Sequence, residues 1–531
     1  MIPEHKSSPF IKLITELGLL LLSALMFSLS FPGFHSDWGW FPLAFAAYLP
    51  LFIVIHRAGW VKIFIFGLLY VFVSYALFNI WLLKFHPLAL IIVPVIYAFF
   101  FLLFLPLLKL VDRLFPVWGW LFQAFLWVGF EYAKTKGFLE YSYGVIGYSQ
   151  YLFLPFIRIA SLFGVWGVSL MVVLPSAFAG NLLARGFKNL KAAFKPWKLV
   201  PVVYGLLFAA ALVFGAASRT DLSGTPVKKV ALIQHNVDPW KYNYDDAFDM
   251  LVRLSREADK KNPDLVVWSE TAFVPAIDYH TKYRSNHETY NLIIKLKDFM
   301  ANERVPYVIG NDDGQLKQLG GEERIDYNAA LLFEGGTITQ RYWKTHLVPF
   351  TENFPFRKSL PRIFQWLKDA DTHFWEKGTE YTVFEAAGIK FSTPICFEDT
   401  FGYLSREFVR RGAEIIVNLT NDSWSFSVPA MQQHLAMGLF RAVENRRTLV
   451  RSTNGGITCT IDPNGRVTSR LTPFTEDFLV TEVPVYTAST TLYTRWGDWF
   501  GYVCLFGSLL VLIFGIVRRI ALTMRHKYRK I

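Results

Sequence analysis

The chain has 531 residues; 53% are apolar, 17% aromatic and only 18% charged, with a mean hydropathy of +0.30. An ordinary soluble domain is about 25% charged, so this composition excludes a disordered chain, a collagen-like or disulfide scaffold and a plain cytosolic enzyme. The net charge of +12 is unevenly spread, because residues 219–497 hold 33 Lys+Arg and 35 Asp+Glu while the rest hold 21 and 7. The basic surplus therefore belongs to the apolar parts, where it marks the cytoplasmic side of a membrane, and says nothing about nucleic acid.

A membrane-spanning helix needs about 20 mostly apolar residues. In chain order, such stretches lie near 11–31, 38–55, 62–83, 88–108, 117–137, 159–183, 199–217 and 498–517. The fifth carries Glu131 and Lys134. No small-residue cleavage pattern follows the first, which therefore reads as a retained span rather than a signal peptide. Basic clusters follow alternate spans: Arg57 and Lys62; Lys109 and Arg113; Arg185, Lys188, Lys191, Lys195 and Lys198; and a tail with Arg518, Arg519, Arg525, Lys527, Arg529 and Lys530. With eight spans they share one side, both termini are cytoplasmic, and residues 218–497 face outward, into the periplasm of a bacterium. Lys134, Lys136 and Arg158 run against this rule, and an odd number of spans would reverse the large domain.

Residues 218–497 alternate strand-like and helix-like patterns. The apolar runs 229–237, 264–270, 305–311, 328–334, 389–398, 413–420 and 455–465 predict strands; helical periodicity falls near 245–261, 285–302, 402–412 and 429–446. Continuous apolar strands imply sheets covered on both faces, and hence an α/β layered domain. The organisation is thus a membrane domain over 1–217, an α/β domain over 218–497, and a last span with a basic tail over 498–531.

Several chemistries have no motif here: there is no G-x-S-x-G, H-E-x-x-H, Walker loop or C-x-x-C. Asn418-Leu-Thr420 matches the glycosylation triplet but ends a buried-looking strand. Of the three cysteines, Cys459 and Cys504 read as small buried apolar residues. Cys396 differs: it lies in TPICFEDTF at a strand end, as do Glu270 closing LVVWSE and Lys344 in RYWKTHLVPFTE. In α/β domains such ends usually form the site. A cysteine needs a base to become a nucleophile, a glutamate can be that base, and a lysine can stabilise an oxyanion. Each also has an ordinary reading, as a packed thiol, an ion-pair carboxylate or a solvated amine, so composition and spacing stop at a membrane-anchored α/β domain open to thiol chemistry.

At these residues the sequence resembles the nitrilase superfamily and, more closely, its membrane-embedded branch, the apolipoprotein N-acyltransferases. HLVPF-x-E (346–352), ND-x-W (421–424) and RSTN-x-GIT (451–458) carry the resemblance, which spans nearly the whole chain. It implies a polytopic α-helical membrane domain plus a nitrilase-like α-β-β-α sandwich, with Glu270 as base, Lys344 as oxyanion stabiliser and Cys396 as nucleophile. It further implies an oxyanion donor in the Phe397 amide, supporting acids in Glu352 and Glu398, and activity or substrate-binding roles for Trp240, Asn328 and Trp424. Arg451, Ser452 and Asn454 would brace the site. The implied reaction transfers a phospholipid sn-1 acyl chain, preferably from phosphatidylethanolamine, to the α-amine of a lipoprotein's S-diacylglyceryl cysteine, in the bacterial inner membrane; the sequence gives no sign of a cofactor or metal, and a monomer is the expected state with a dimer left open. A membrane-tethered amidohydrolase and an inactive lipoprotein-binding scaffold are the alternatives. Three departures from the family pattern are Thr351 for Gly, Ser425-Phe426 for Phe-Gly, and Gly455 for Asn. The aromatic segment 350–369 reads as a lid at the membrane interface or as a core helix, and Tyr141, Tyr143, Tyr148 and Tyr151 as a portal lip or as interfacial anchors.

Overall fold

The computed structural model describes residues 8–85, 87–137, 140–186, 190–238, 240–317, 324–369 and 373–528; Lys188, Arg529 and Lys530 of the basic clusters lie outside these. The chain forms two compact units. One comprises the chain to Lys136, Tyr143–Ser218 and Asp498 onward; the other comprises Gly137–Ser142 and Arg219–Gly497.

The first unit is helical and multi-pass. Among the described residues six helices are long and apolar enough to cross a membrane: Pro9–Leu29, Trp60–Phe78, Ala89–Leu114, Val165–Ala184, Leu199–Ala217 and Trp499–His526. The two other expected spans are shorter. Near 38–55 the helical run is interrupted at Tyr48, between Ala44–Ala47 and Leu49–Arg57, where Pro50 lacks the N–H that would bond to the Ala46 carbonyl. Near 117–137 the helix is Gly119–Lys134, 16 residues, or about 24 Å at 1.5 Å per residue, less than a hydrocarbon core of about 30 Å.

The polar residues of this unit are engaged internally. Glu131 Oε1 accepts the Ile146 N–H at 2.9 Å, and Lys134 Nζ donates to the Tyr75 hydroxyl at 2.9 Å and the Tyr143 carbonyl at 3.0 Å. Lys136 pairs with Asp498 at 3.3 Å. Arg158 donates to the Gly215 carbonyl at 2.8 Å, one of the orphan acceptors at a helix C-terminus. The three basic residues that run against the charge rule therefore have structural partners. Tyr148 and Tyr151 are buried here, so they pack rather than form a lip.

The second unit is a sandwich of two six-stranded sheets. Its strands are β1 (Val227–Gln234), β2 (Leu265–Trp268), β3 (Tyr307–Leu316), β4 (Arg324–Glu334), β5 (Thr337–Trp343), β6 (Val383–Ala386), β7 (Ile389–Ser392), β8 (Ile415–Asn421), β9 (Thr448–Asn454), β10 (Cys459–Ile461), β11 (Val467–Arg470) and β12 (Asp477–Pro484). One sheet runs β12-β1-β2-β3-β4-β5, the other β11-β10-β9-β8-β7-β6. In each, three central strands are parallel, β1-β2-β3 and β7-β8-β9, and the flanking pairs antiparallel.

Alternation along the strands builds the layers. Val230, Leu232, Val267 and Val308 face Phe391, Ile415, Val417 and Val450 between the sheets. Ala231, Ile233, Val266 and Trp268 point the other way, onto Phe248, Leu251, Leu292 and Leu296 of helices α1 (Tyr244–Asp259) and α2 (His287–Asn302). Helices α3 (Gly402–Arg410) and α4 (Val428–Asn445) cover the second sheet, giving helix–sheet–sheet–helix layers. The expected strand 389–398 ends early, at Ser392, because Pro394 cannot continue the ladder; Cys396–Thr400 is a 3-10 turn.

One close approach ties this packing to the site. A Cβ at Gly310 would lie 2.2 Å from the Ser269 carbonyl and 2.7 Å from Glu270 Cα, so β3 can pack beside Glu270 only through a glycine. Gly310→Ala is expected to lower stability by about 1–3 kcal/mol through overpacking, read as a fall in the thermal unfolding midpoint of the full chain. Gly205→Ala, whose Cβ meets nothing within 4 Å, is the control and should not lower it.

Candidate active site

The ends of four strands converge on the expected residues. Lys344 directly follows β5, and its backbone continues the ladder: its N–H donates to the Asn328 carbonyl at 2.8 Å and its carbonyl accepts the Gly378 N–H at 2.9 Å. Its side chain is 0% exposed, with Nζ 3.3 Å from Glu270 Oε1 and 2.7 Å from Glu352 Oε1. Asn328 Nδ2 donates to Glu270 Oε1 at 2.8 Å, and the Asn421 N–H at the end of β8 donates to Glu270 Oε2 at 2.8 Å. Glu352 Oε2 accepts the Val348 N–H at 2.9 Å.

Cys396 begins the turn after β7 and is left-handed, with φ +50°. A non-glycine residue there is strained and persists only when its surroundings hold it. Glu398 supplies much of that hold. Its Oε2 accepts the Ile395 N–H at 2.8 Å. Its Oε1 accepts the Tyr342 hydroxyl at 2.7 Å, the Thr345 N–H and hydroxyl at 2.8 and 2.9 Å, and the His346 N–H at 3.0 Å. One buried carboxylate thus binds the cysteine turn to the lysine loop. Ile395 also bridges to Leu419 of β8, two residues, or about 7 Å, before the Asn421 amide that holds Glu270. The Phe397 amide lies in the first turn after Cys396, where helical N–H groups lack intrahelical partners. Asn418 is buried on β8 with its amide donating to the Pro394 carbonyl at 3.1 Å, so the glycosylation triplet is structural.

The electrostatics follow from burial against pairing. Burial opposes the Lys344 ammonium, but Glu352 and Glu270 outweigh it and hold its pKa above the ordinary lysine value. Burial and then the Glu270 carboxylate push the half-buried Cys396 thiol well above its usual range, while Lys344 draws it down. Burial also raises Glu352 and Glu398. Burial and the Glu270 carboxylate therefore favour the thiol form of Cys396.

The other expected residues lie on loops. Trp240 is 43% exposed, its ring against His373 and Trp375 at 5.5 and 6.0 Å. Trp424 is 38% exposed in the short turn Ser423–Ser425. The departures have local causes. Gly455 has φ +68°, and a Cβ there would meet Asn236 Oδ1 at 2.7 Å and Ser423 Cβ at 2.9 Å. Phe426 is left-handed, with φ +46°, and 62% exposed. The left-handed residue before Glu352 is Phe350, so Thr351 occupies ordinary backbone.

Two clusters are not assembled by the sequence alone, although Arg451 of the first is expected there to brace the site. Asp399, Asp422, His434 and Arg451 form a buried charge network behind Cys396; the signal was Asp422 inside ND-x-W and Arg451 heading RSTN. Asp312, Asp326 and His373 place ligand-type atoms within 4.8 Å of one another. There Arg324 pairs with Asp326 and reaches Asp312 at 3.8 Å, and Trp375 Nε1 donates to Asp312 at 2.7 Å, so the carboxylates already have positive and N–H partners.

Residues 229–492 match the carbon-nitrogen hydrolase family, and residues 23–178 match the apolipoprotein N-acyltransferase N-terminal domain. Apolipoprotein N-acyltransferase 1 of Treponema denticola is 41% identical over 532 residues, covering 96% of this chain and 98% of that protein. Apolipoprotein N-acyltransferase 1 of Treponema pallidum is 42% identical over 536 residues, covering 97% and 98%. Among solved structures, an amidase from Nesterenkonia sp. AN1 aligns at 19% identity with a TM-score of 0.36, covering 51% of this chain and 92% of its own. Full-length identity to named relatives at this level settles the family: the chain belongs to the apolipoprotein N-acyltransferases.

Proposed function

We propose that this protein transfers the sn-1 acyl chain of a phospholipid, phosphatidylethanolamine by preference, to the α-amine of an S-diacylglyceryl cysteine at an apolipoprotein N-terminus. The catalytic unit works on the periplasmic side of a bacterial inner membrane. The observation that carries the reading is a buried ammonium, Lys344, held by Glu270 at 3.3 Å and Glu352 at 2.7 Å and acting on the thiol of a left-handed cysteine. The relatives' names supply the acceptor class.

The steps balance with these groups alone. Glu270 takes the Cys396 proton as the sulfur attacks the ester carbonyl. The Lys344 ammonium and the Phe397 amide bind the oxyanion. The tetrahedral intermediate collapses, the lysophospholipid oxygen leaves with the proton from Glu270, and a thioester remains on Cys396. The acceptor amine then attacks this thioester, Glu270 takes the amine proton, and the thiolate leaves and is reprotonated. The product is an amide, and the enzyme returns to its thiol form.

We further read the segment after the lysine loop as a lid lying in the membrane interface. Its helix Pro361–Asp369 has no buried residue, which disfavours the core-helix reading. Trp366 is 66% exposed, and Leu360 and Ile363 are exposed beside it. The helix is held by Phe364, stacked on Phe354 at 6.2 Å and tilted against Phe374 at 5.3 Å. Exposed apolar side chains on a short amphipathic helix suit the headgroup–acyl boundary.

Cys396→Ala is expected to abolish acyl transfer from phosphatidylethanolamine vesicles to a diacylglyceryl-cysteine peptide; wild-type turnover would defeat the mechanism. Lys344→Met should lower kcat by about 100- to 1,000-fold, the usual cost of losing an oxyanion donor. Trp366→Asp should raise KM for vesicle phospholipid while leaving the alkylation rate of Cys396 by iodoacetamide unchanged; an unaltered KM would remove the lid from the account.

A further inference from the structure

The charge network behind the nucleophile has a defined architecture. Asp399 sits on the Cys396 turn, Asp422 on the loop leaving β8, Arg451 on β9 and His434 on α4. All four are buried. Arg451 pairs with Asp399 and reaches Asp422 at 3.4 Å. His434 lies between the same two carboxylates, its Nδ1 2.8 Å from Asp422 Oδ1 and its Nε2 2.9 Å from Asp399 Oδ1. At these distances a neutral imidazole would set a lone pair against one of the carboxylates, whereas the imidazolium sets positive charge against both, with Arg451 Nη2 3.4 Å from Nδ1. Two carboxylates, one guanidinium and one imidazolium then cancel, whereas a neutral histidine leaves an uncompensated buried charge, which is costly. Gly438 keeps the space open, since a Cβ there would lie 2.8 Å from Asp399 Oδ2 and 2.9 Å from Arg451 Nη1.

The network is anchored at both ends of the chemistry. Asp399 is three residues from Cys396, whose φ of +50° must be held from outside. Asp422 follows Asn421, whose N–H binds the Glu270 carboxylate. We propose that His434 is a positioning residue: bridging Asp399 and Asp422, it closes a neutral four-charge clamp with Arg451 that fixes the strained Cys396 turn relative to Glu270. This rests on the reading of Cys396 as nucleophile, whose own failure would appear as turnover by Cys396→Ala.

The groups facing His434 are Asp399, Asp422 and Arg451, with Arg441 of the same helix acting on Asp399 and Cys459 on Arg451. Burial disfavours the imidazolium, but Asp399 and Asp422 overcome both burial and Arg451 and raise the His434 pKa to about 9. A raised pKa contributes stability that is fully present below the unfolded histidine value of about 6.5 and is lost as pH rises through about 9.

The test uses the full chain in phospholipid vesicles. His434→Gln is expected to lower kcat by about 100-fold, as misplacement of a reacting group does, with KM for phospholipid unchanged. Its unfolding midpoint should fall below wild type at pH 6 and converge on it as pH passes 9. His434→Gln combined with Asp422→Asn restores neutrality and should recover much of the lost kcat, while Asp422→Asn alone, which leaves excess positive charge, should not match wild type. Wild-type kcat in His434→Gln, a double variant no better than the single, or a midpoint difference independent of pH would each overturn the proposal.

Discussion

A lysine ammonium withdrawn completely from water is the constraint around which the catalytic unit is organised. Burying such a charge costs several kcal/mol unless close carboxylates and well-placed hydrogen bonds offset it. Here Lys344 has Glu270 and Glu352 at bonding distance, and each carboxylate is held in turn. Asn328 serves both partners, its carbonyl accepting the Lys344 N–H and its side chain donating to Glu270. Placing that asparagine requires β4 and β5 in register, Ala329 opposite Trp343, so the ladder sets Lys344 and Glu270 in one operation.

The second sheet is needed for the same reason. Glu270 comes from the first sheet, but its other oxygen is held by an amide at the end of β8 in the second. Polar bonds stitch the two sheets beside the site: Ser452 donates to the Val267 carbonyl at 3.0 Å, and Asn454 Oδ1 accepts the Val237 N–H at 3.2 Å while its amide donates to the Val237 carbonyl at 2.5 Å. Farther along, the interface between the sheets is apolar. The apolar part supplies stability, and the polar end supplies the fixed distances that acyl transfer needs.

The fold was legible where hydrophobicity was the cause. Long apolar strands such as β1, β4 and β8, and the amphipathic α1 and α4, appear where their patterns fall. Edge strands β5, β11 and β12 were not seen, since their half-exposed faces alternate with polar residues. β9 was hidden for the opposite reason: it is fully buried yet carries Arg451, Ser452, Thr453 and Asn454, polar residues that only their partners across the sheets explain. At the site, three reactive residue types at strand ends were visible singly, and the motifs around Lys344 and Arg451 drew them together. The hub role of Glu398 and the place of His434 were not legible, because both depend on backbone amides and carboxylates brought from distant segments. The expected span 117–137 is shorter in the structure, Gly119–Lys134, and its charges Glu131 and Lys134 are carried by internal bonds that hydropathy does not register.

The proposed reaction turns on a thioester on Cys396 that an amine, rather than water, resolves. Intact-protein mass spectrometry after incubation with phosphatidylethanolamine, followed by peptide mapping, tests it most directly. The expected result is a one-acyl adduct on the Cys396 peptide that a diacylglyceryl-cysteine peptide discharges, with an N-acyl peptide as product. An adduct that only water clears, or none on a folded protein, would contradict it.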